Sequence, residues 1–323
     1  MINKQNFDVA IIGAGPAGSY LAWKLAGNGH RVAVIEEHQV IGEPVNCTGI
    51  IGLDCFKKFP LGLNTVVRAA NSARFYSPAG HDIFLRKEEN QAYIVNRGAF
   101  DRELAEKAMS AGAVYYTGQR IRNILVEPDG VKLFPSNRAV TFEGRAAVIA
   151  SGFNSKLPEL LGLGHITSYA FGGQVEVSLP SKISVEVYFG NNIAPDFFAW
   201  LAPTTEGRGL AGLFSRTKQS SYLRSFLDNL YSRGKIKRET GKVIFGGVPL
   251  GMIPKSYTDR VLVVGDAAGQ VKPTTGGGIY YGLICADIAA NTLYKALKQD
   301  NLSAKALRIL GFKIYTASAD LPR

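Results

Sequence analysis

Residues 8–37, DVAIIGAGPAGSYLAWKLAGNGHRVAVIEE, constrain the fold more than any other stretch of the chain. The apolar run Val9 to Ile12 reads as a buried strand, Pro16 suits the first position of a helix, and Gly27 to Gly29 end it before the second apolar run VAVI. This order is a βαβ unit. Gly13, Gly15 and Gly18 stand in G-x-G-x-x-G spacing, and Glu36 follows at the end of the second strand. Gly13 permits the tight turn, Gly15 lets the backbone approach a pyrophosphate, and Gly18 lets the helix pack on the strand. The helix N-terminus supplies N–H donors and positive potential, and Glu36 is suited to accept hydrogen bonds from a ribose. Ala17 in the turn and Glu37 beside Glu36 complete the expected nucleotide-binding set. The alternative is an ordinary tight βα turn without a ligand.

Three later segments fit the same architecture. VNRGAFDRELAEKAMSAGAVYYTG, from Val95, opens with a polar turn, continues as a helix with Phe100, Leu104 and Ala108 on one face, and reaches a strand near Val114. RAAVIASGFNSKL is a strand running into a turn at Ala150, Ser151 and Gly152, and a third strand-turn-helix begins with its strand at Val261. Between them, KISVEVYFG and FFAWLAP read as strands of a second sheet, and residues 217–233 read as a helix carrying Tyr222, Phe226 and Leu230. The expected fold class is therefore α/β: a discontinuous Rossmann-like domain (1–70, 96–165, 256–323), with an inserted mixed β-sheet plus helix for the substrate (71–95, 166–255).

The chain of 323 residues, 46% hydrophobic, is long enough for a sizeable core. Its net charge of +11 favours anionic partners such as phosphorylated ligands or acidic lipid. The cations are dispersed, and RGKIKRETGK from Arg233 and KALKQD from Lys295 read as solvated faces, so nucleic acid is not expected as a partner. Three cysteines, Cys47, Cys55 and Cys285, form no paired framework and point to a reducing, cytoplasmic setting. The N-terminus reads as a first strand and not as a signal peptide or membrane span. No metal site is expected.

VVGDAAGQVKPTTGGGIYYG, from Val263, resembles the second flavin motif of FAD-dependent oxidoreductases of the para-hydroxybenzoate hydroxylase type, and within that group it is similar to the geranylgeranyl reductase family. The resemblance implies FAD, with Gly265, Asp266 and Pro273 near the ribityl and pyrophosphate region and Gly276, Gly277 and Gly278 bringing backbone N–H groups to the flavin pyrimidine edge. A helix N-terminus there favours negative charge on reduced flavin. A plain strand-turn-helix with a capping Asp is the alternative. Arg97 stands in a segment resembling the Arg-x-x-Phe-Asp pattern that this group uses near the cofactor, and Ala150 to Gly152 resemble its middle motif.

FFAWLAPTTEGRGLAGLF resembles the segment that lines the prenyl cavity in this family: Trp200, Pro203 and Gly212 match, Phe198 fits in place of a tyrosine, Ala202 replaces a phenylalanine, and Phe214 stands where a second glycine is expected. An aromatic core strand is the alternative. GEPVNCTGII resembles the family's Pro-Val-x-Cys-x-Gly loop beside the flavin, so Cys47 is either a proton donor or shaper of the site, or a small structural thiol. Cys55 and Cys285 read as core residues. The resemblance runs from Asp8 to about Leu297, and relatives carry a further helical segment that closes the cavity, so the chain is expected either to have an open cavity or to be a shortened version.

The implied activity is reduction of carbon-carbon double bonds in a polyprenyl chain on a lipid, quinone or chlorophyll-type precursor. No second glycine fingerprint provides a nicotinamide domain, so the electrons are expected from transient NAD(P)H or a reduced protein donor. Loose, electrostatic attachment to the inner face of the cell membrane is expected with a lipid substrate. An aromatic monooxygenase on the same scaffold, or an electron-transfer or non-catalytic flavoprotein, remain open at this point.

Overall fold

A computed structural model describes residues 4–136, 140–181, 183–237, 239, 241–272 and 274–308. Pro273 and the stretches 1–3 and 309–323 of the expected cofactor domain lie outside the described residues. The chain runs β1 (Lys4–Ile12), α1 (Pro16–Gly27), β2 (Val32–Ile35), β3 (Ile50–Gly52), α2 (Leu53–Lys58), β4 (Val66–Ala70), β5 (Ser72–Tyr76), β6 (Asp82–Arg86) and β7 (Ala92–Val95). It continues through α3 (Arg97–Ser110), β8 (Val114–Tyr116), β9 (Ile121–Val126), β10 (Val131–Pro135), β11 (Thr141–Ile149), α4 (Leu157–Leu160), β12 (Tyr169–Ser178), β13 (Val185–Phe189), β14 (Phe198–Pro203) and β15 (Arg208–Ser215). The remaining elements are α5 (Gln219–Ser232), β16 (Ile244–Pro249), β17 (Tyr257–Thr258), β18 (Val261–Val263), a 3-10 turn at Gly265–Ala268, α6 (Ile279–Lys298) and α7 (Ala304–Leu307).

The chain divides into two compact units. The first holds residues 1–43, 98–168 and 249–323 and is built on a sheet ordered β17-β18-β11-β1-β2-β8, extended by β10 and β9. β1 lies parallel to β2 and β11, β11 to β18, and β2 to β8. Continuous burial of Val9 to Ile11, Val32 to Ile35 and Val261 to Val263 explains why these strands read as unbroken apolar runs. The α3 face expected from spacing is observed, with Phe100, Leu104 and Ala108 buried.

The second unit holds residues 44–97 and 169–248. Its main sheet is ordered β16-β12-β15-β14-β13-β5-β6, and a small sheet is ordered β3-β7-β4. The structure groups residues 44–70 with this unit, whereas the sequence reading assigned them to the cofactor domain. The physical reason is pairing: β3 and β4 both bond to β7, a partner over twenty residues downstream that local patterning does not reveal. α5 covers one face of the main sheet, burying Leu223, Phe226, Leu227 and Leu230 against Val175, Val177, Ala199, Leu201, Ala211 and Leu213. Tyr222, chosen by its spacing, is only partly buried at the margin of that stripe. No described helix is long and apolar enough to cross a membrane.

Candidate functional site

The first turn is a test of each glycine separately. Gly13 has φ +106°, and a Cβ on it would stand 2.4 Å from the Ala150 carbonyl oxygen. A Cβ on Gly18 would stand 2.0 Å from the Gly13 oxygen. Both positions are reserved by the protein's own backbone. Gly15 differs: nothing lies within 4 Å of its would-be Cβ, and as N-cap of α1 it offers no side-chain cap, while Pro16 follows at the first helical position. Open space at an uncapped helix N-terminus fits a pyrophosphate.

Glu36, 9% exposed at the end of β2, accepts from the Ala14 N–H at 2.8 Å through Oε2 and from the His38 N–H at 2.9 Å through Oε1. Its carboxylate thus holds the turn against the second strand. Glu37 is exposed and pairs with Arg120 at 3.2 Å. Ala17 has a packing contact that its spacing did not announce: a Cβ on Gly265 would lie 3.3 Å from it, and one on Gly282 3.7 Å. Small residues therefore let α1 and α6 approach, and the Tyr20 hydroxyl donates to Asp287 at 3.0 Å across the same pair. Burial and the Asp287 carboxylate push the Tyr20 phenol up, so it stays a donor at ordinary pH.

Three neighbouring strand ends deliver the remaining parts. The Ala150 N–H donates to Ile12 at 2.8 Å and the Val264 N–H to Ile149 at 2.9 Å, so β1, β11 and β18 release Gly13, Ala150 and Gly265 at one edge of the sheet. Gly152, with φ +73°, has open space beside it. Gly265, at φ +68°, starts the 3-10 turn, and its N–H donates to Gln270 Oε1 at 2.7 Å. Gln270, 4% exposed, was missed in the sequence, and its Nε2 has no hydrogen-bond partner among the described residues. Asp266 Oδ1 lies 2.9 Å from the would-be Cβ of Gly278, the N-cap of α6, so the carboxylate sits against the start of that helix. The loop closes by Gly276 N–H to the Lys272 carbonyl at 2.9 Å and Lys272 N–H to the Gly277 carbonyl at 3.2 Å.

The second unit gathers the other expected residues. Cys47 is half-buried, and its Sγ accepts from the Gly49 N–H at 3.4 Å. Gly49, φ +80°, has no room for a side chain: its would-be Cβ stands 2.4 Å from the Val95 oxygen and 3.3 Å from Arg97 Cγ, which brings the stem of Arg97 to the cysteine loop. Thr48 donates to Gln174 Oε1 at 2.9 Å, fastening the loop to β12. Burial pushes the thiols of Cys55 and Cys285 up to about 12, which fits them as inert core residues.

Register places Gln174, Gly212, Trp200, Val187 and Phe75 side by side across β12, β15, β14, β13 and β5, on the face opposite α5. A Cβ on Gly212 would stand 2.4 Å from Trp200 Cζ2, so this glycine makes room for the indole. Phe214, where the family pattern has a glycine, packs 5.1 Å from Trp200 and 6.0 Å from Phe198. Its space comes instead from Gly172, whose would-be Cβ stands 2.8 Å from the Phe214 ring. Pro203 ends β14 and is buried with Ala202. Trp200 is 8% exposed, and its Nε1 has no partner among the described residues. Gln174 and Gly172 are neighbours of this face that spacing alone does not point to.

Two glycine turns, each feeding a helix at the carboxyl edge of a parallel sheet, with an acid after the second strand, define a dinucleotide-binding oxidoreductase scaffold. The family model for an NAD(P)-binding Rossmann-like domain matches residues 11–55. The chain is 35% identical over 322 residues to a digeranylgeranylglycerophospholipid reductase of Methanocaldococcus jannaschii, covering 94% of this chain and 80% of that protein. In fold it is similar to a geranylgeranyl bacteriochlorophyll reductase-like protein of Thermoplasma acidophilum, with TM-score 0.90, 24% identity, and 98% and 84% of the two chains covered. It is also similar, with TM-score 0.74, 20% identity, and 97% and 62% covered, to the flavin-dependent halogenase CmlS. The chain belongs to the geranylgeranyl reductase family of FAD-dependent oxidoreductases.

Proposed function

We propose that the chain reduces carbon-carbon double bonds of geranylgeranyl chains on a glycerophospholipid. The observation that carries this reading is the sheet face of the second unit, where Trp200, Phe198 and Phe214 form an apolar wall made possible by Gly212 and Gly172, with the Cys47 loop fastened to it through Thr48 and Gln174. The relative named for digeranylgeranylglycerophospholipid reduction supports the lipid substrate.

The residues present fit FAD. The Gly15 opening and the α1 N-terminus would hold the pyrophosphate, Glu36 the adenosine ribose, and Asp266 with Gly276 to Gly278 the flavin end. Arg97 would complement phosphate or ribityl oxygens. When bound and reduced, FAD would supply the hydride chemistry. This chain's own residues do the rest. The aromatic wall excludes water and orients the prenyl chain, which matters because an unactivated alkene reacts only when held close and dry. Cys47 delivers the proton to the second alkene carbon, so each bond gains one hydride and one proton. Electrons arrive from NAD(P)H or a reduced protein donor.

The test is anaerobic incubation of the reduced holoenzyme with geranylgeranylated phospholipid, read by mass in steps of two hydrogens. Product heavier by such steps is expected. Oxygen consumption with hydroxylation of an aromatic substrate and no change in the lipid would replace this reading with a monooxygenase.

A further inference from the structure

We infer that the β5–β6 hairpin is a membrane-docking tip that seats the second unit on an anionic bilayer; this rests on the lipid-substrate reading above. β6 is the terminal strand of the main sheet, and it exposes three successive large apolar residues: Ile83 at 64%, Phe84 at 47% and Leu85 at 56%. Pleating sends Ile83 and Leu85 to one face and Phe84 to the other, so a single neighbouring side of the protein could not cover all three. An edge strand with this composition is a liability unless something covers it.

The polarity of the hairpin runs in one direction. Its turn, Ser77 to His81, carries no carboxylate or lysine, and is closed by Ser77 N–H to the His81 carbonyl at 2.8 Å. The apolar triplet follows, then the exposed cations Arg86 and Lys87, and only beyond them Glu88 and Glu89. Asp82 is the acid of the hairpin beside the turn, and Arg74 pairs with it while lying over the Phe84 ring at 5.0 Å. Ile83 to Arg86 spans about 10 Å along a strand, which matches the depth to which apolar residues enter the headgroup boundary, about 5–10 Å. With the hairpin lying obliquely in that boundary, the apolar residues face the acyl chains and the cations stay at phosphate level. The outer edge of β6, which pairs with no strand among the described residues, limits the depth to that boundary.

The same end of the sheet carries a second turn. A Cβ on Gly190 would lie 3.4 Å from Pro78 Cβ, and the preceding Phe189 is 39% exposed. Phe189 lies 6.4 Å from Phe198, which lies 6.0 Å from Trp200. The tip is thus continuous with the apolar wall. A bilayer is favoured over a second copy of the chain because a net charge of +11 repels another copy and attracts anionic headgroups.

The test uses the FAD-loaded protein and vesicles of phosphatidylcholine with or without phosphatidylglycerol, containing no prenyl lipid, so that docking is read independently of alkene reduction. The triple variant Ile83→Thr, Phe84→Thr, Leu85→Thr keeps β-forming residues in the strand. It is expected to bind phosphatidylglycerol vesicles at least about tenfold more weakly than the parent, with flavin content unchanged. Phe84→Trp, a milder change, is expected to gain fluorescence that brominated lipid quenches. Unchanged vesicle affinity of the triple variant, or Phe84→Trp emission untouched by brominated lipid, overturns the proposal. So does a parent dimer that the triple variant converts to monomer without loss of vesicle binding, since β6 would then be an interface between copies.

Discussion

Gly15 and Gly212 each answer to a motif, yet they are glycines for opposite reasons. Beside Gly15 there is nothing within 4 Å, whereas the would-be Cβ of Gly212 falls 2.4 Å from the Trp200 ring. The first glycine has open space beside it; the space beside the second is already filled by the protein's own side chain. The turn of the first unit is therefore shaped by what it leaves empty, and the sheet face of the second unit by how it packs itself.

The largest effect should come from the first turn, where the contrast can be drawn inside one motif. Gly13→Ala must accommodate φ +106° and a clash with the Ala150 oxygen, so the apoprotein is expected to lose about 3 kcal/mol of stability. Gly15→Val should leave apoprotein melting near the parent value and abolish flavin absorbance in the purified protein. Equal loss of stability in both variants would remove the distinction between reserved backbone and reserved ligand space.

Gly212→Ala comes next. It pushes a methyl into the indole and should cost about 1–3 kcal/mol in urea unfolding, with flavin content intact and alkene reduction lowered through a displaced Trp200. A variant that loses flavin instead would show that the substrate face is not the element Gly212 serves.

Cys47→Ala sharpens the chemical half of the comparison. If the thiol supplies the proton, flavin binding and flavin reduction stay normal while single-turnover alkene reduction falls more than about tenfold, or roughly 1.4 kcal/mol of barrier. Undiminished product formation would leave Cys47 as a packing residue.

The same contrast separates what is legible in the sequence from what is not. The Gly13-Gly15-Gly18 turn, its flanking strands and Glu36 were legible because all lie within about thirty residues and follow local backbone rules. Gln174 was not, because its bond to Thr48 spans 126 positions and exists only once β12 is in register with β15. Gln270 was hidden for a related reason: a glutamine five residues past a glycine has many possible partners, and only the 3-10 turn selects the Gly265 N–H. The grouping of residues 44–70 with the second unit depends on pairing to β7, again a non-local event. Ala17 was picked out for the cofactor, and the structure gives it a contact between α1 and α6, since a small residue in a turn carries no mark of which neighbour needs it small.

The smallest expected effect separates the two units by pH. In the first unit, Asp8 is pushed up by burial, but hydrogen bonds and attraction from Arg31, whose N–H donates to it at 2.9 Å, hold it net below the usual carboxylate range. A depressed carboxylate contributes stability that is present above its unfolded pKa, about 3.9, and is lost as pH falls through the folded value. In the second unit, burial pulls Lys235 down, but its bonds to Glu186 at 2.7 Å and the Tyr76 hydroxyl at 3.0 Å hold it net above the usual lysine range. A raised lysine contributes stability that is present below its unfolded pKa, about 10.4, and is lost as pH rises through the folded value. Each is expected to be worth about 1 kcal/mol or less. Hydrogen exchange followed by mass spectrometry should therefore show β1 and the Arg31 turn loosening first below about pH 4, and the Glu186–Lys235 region loosening first above about pH 10.5. Asp8→Asn should flatten the acid arm alone and Lys235→Met the alkaline arm alone. If either substitution flattens both arms, the two units do not carry separate electrostatic latches.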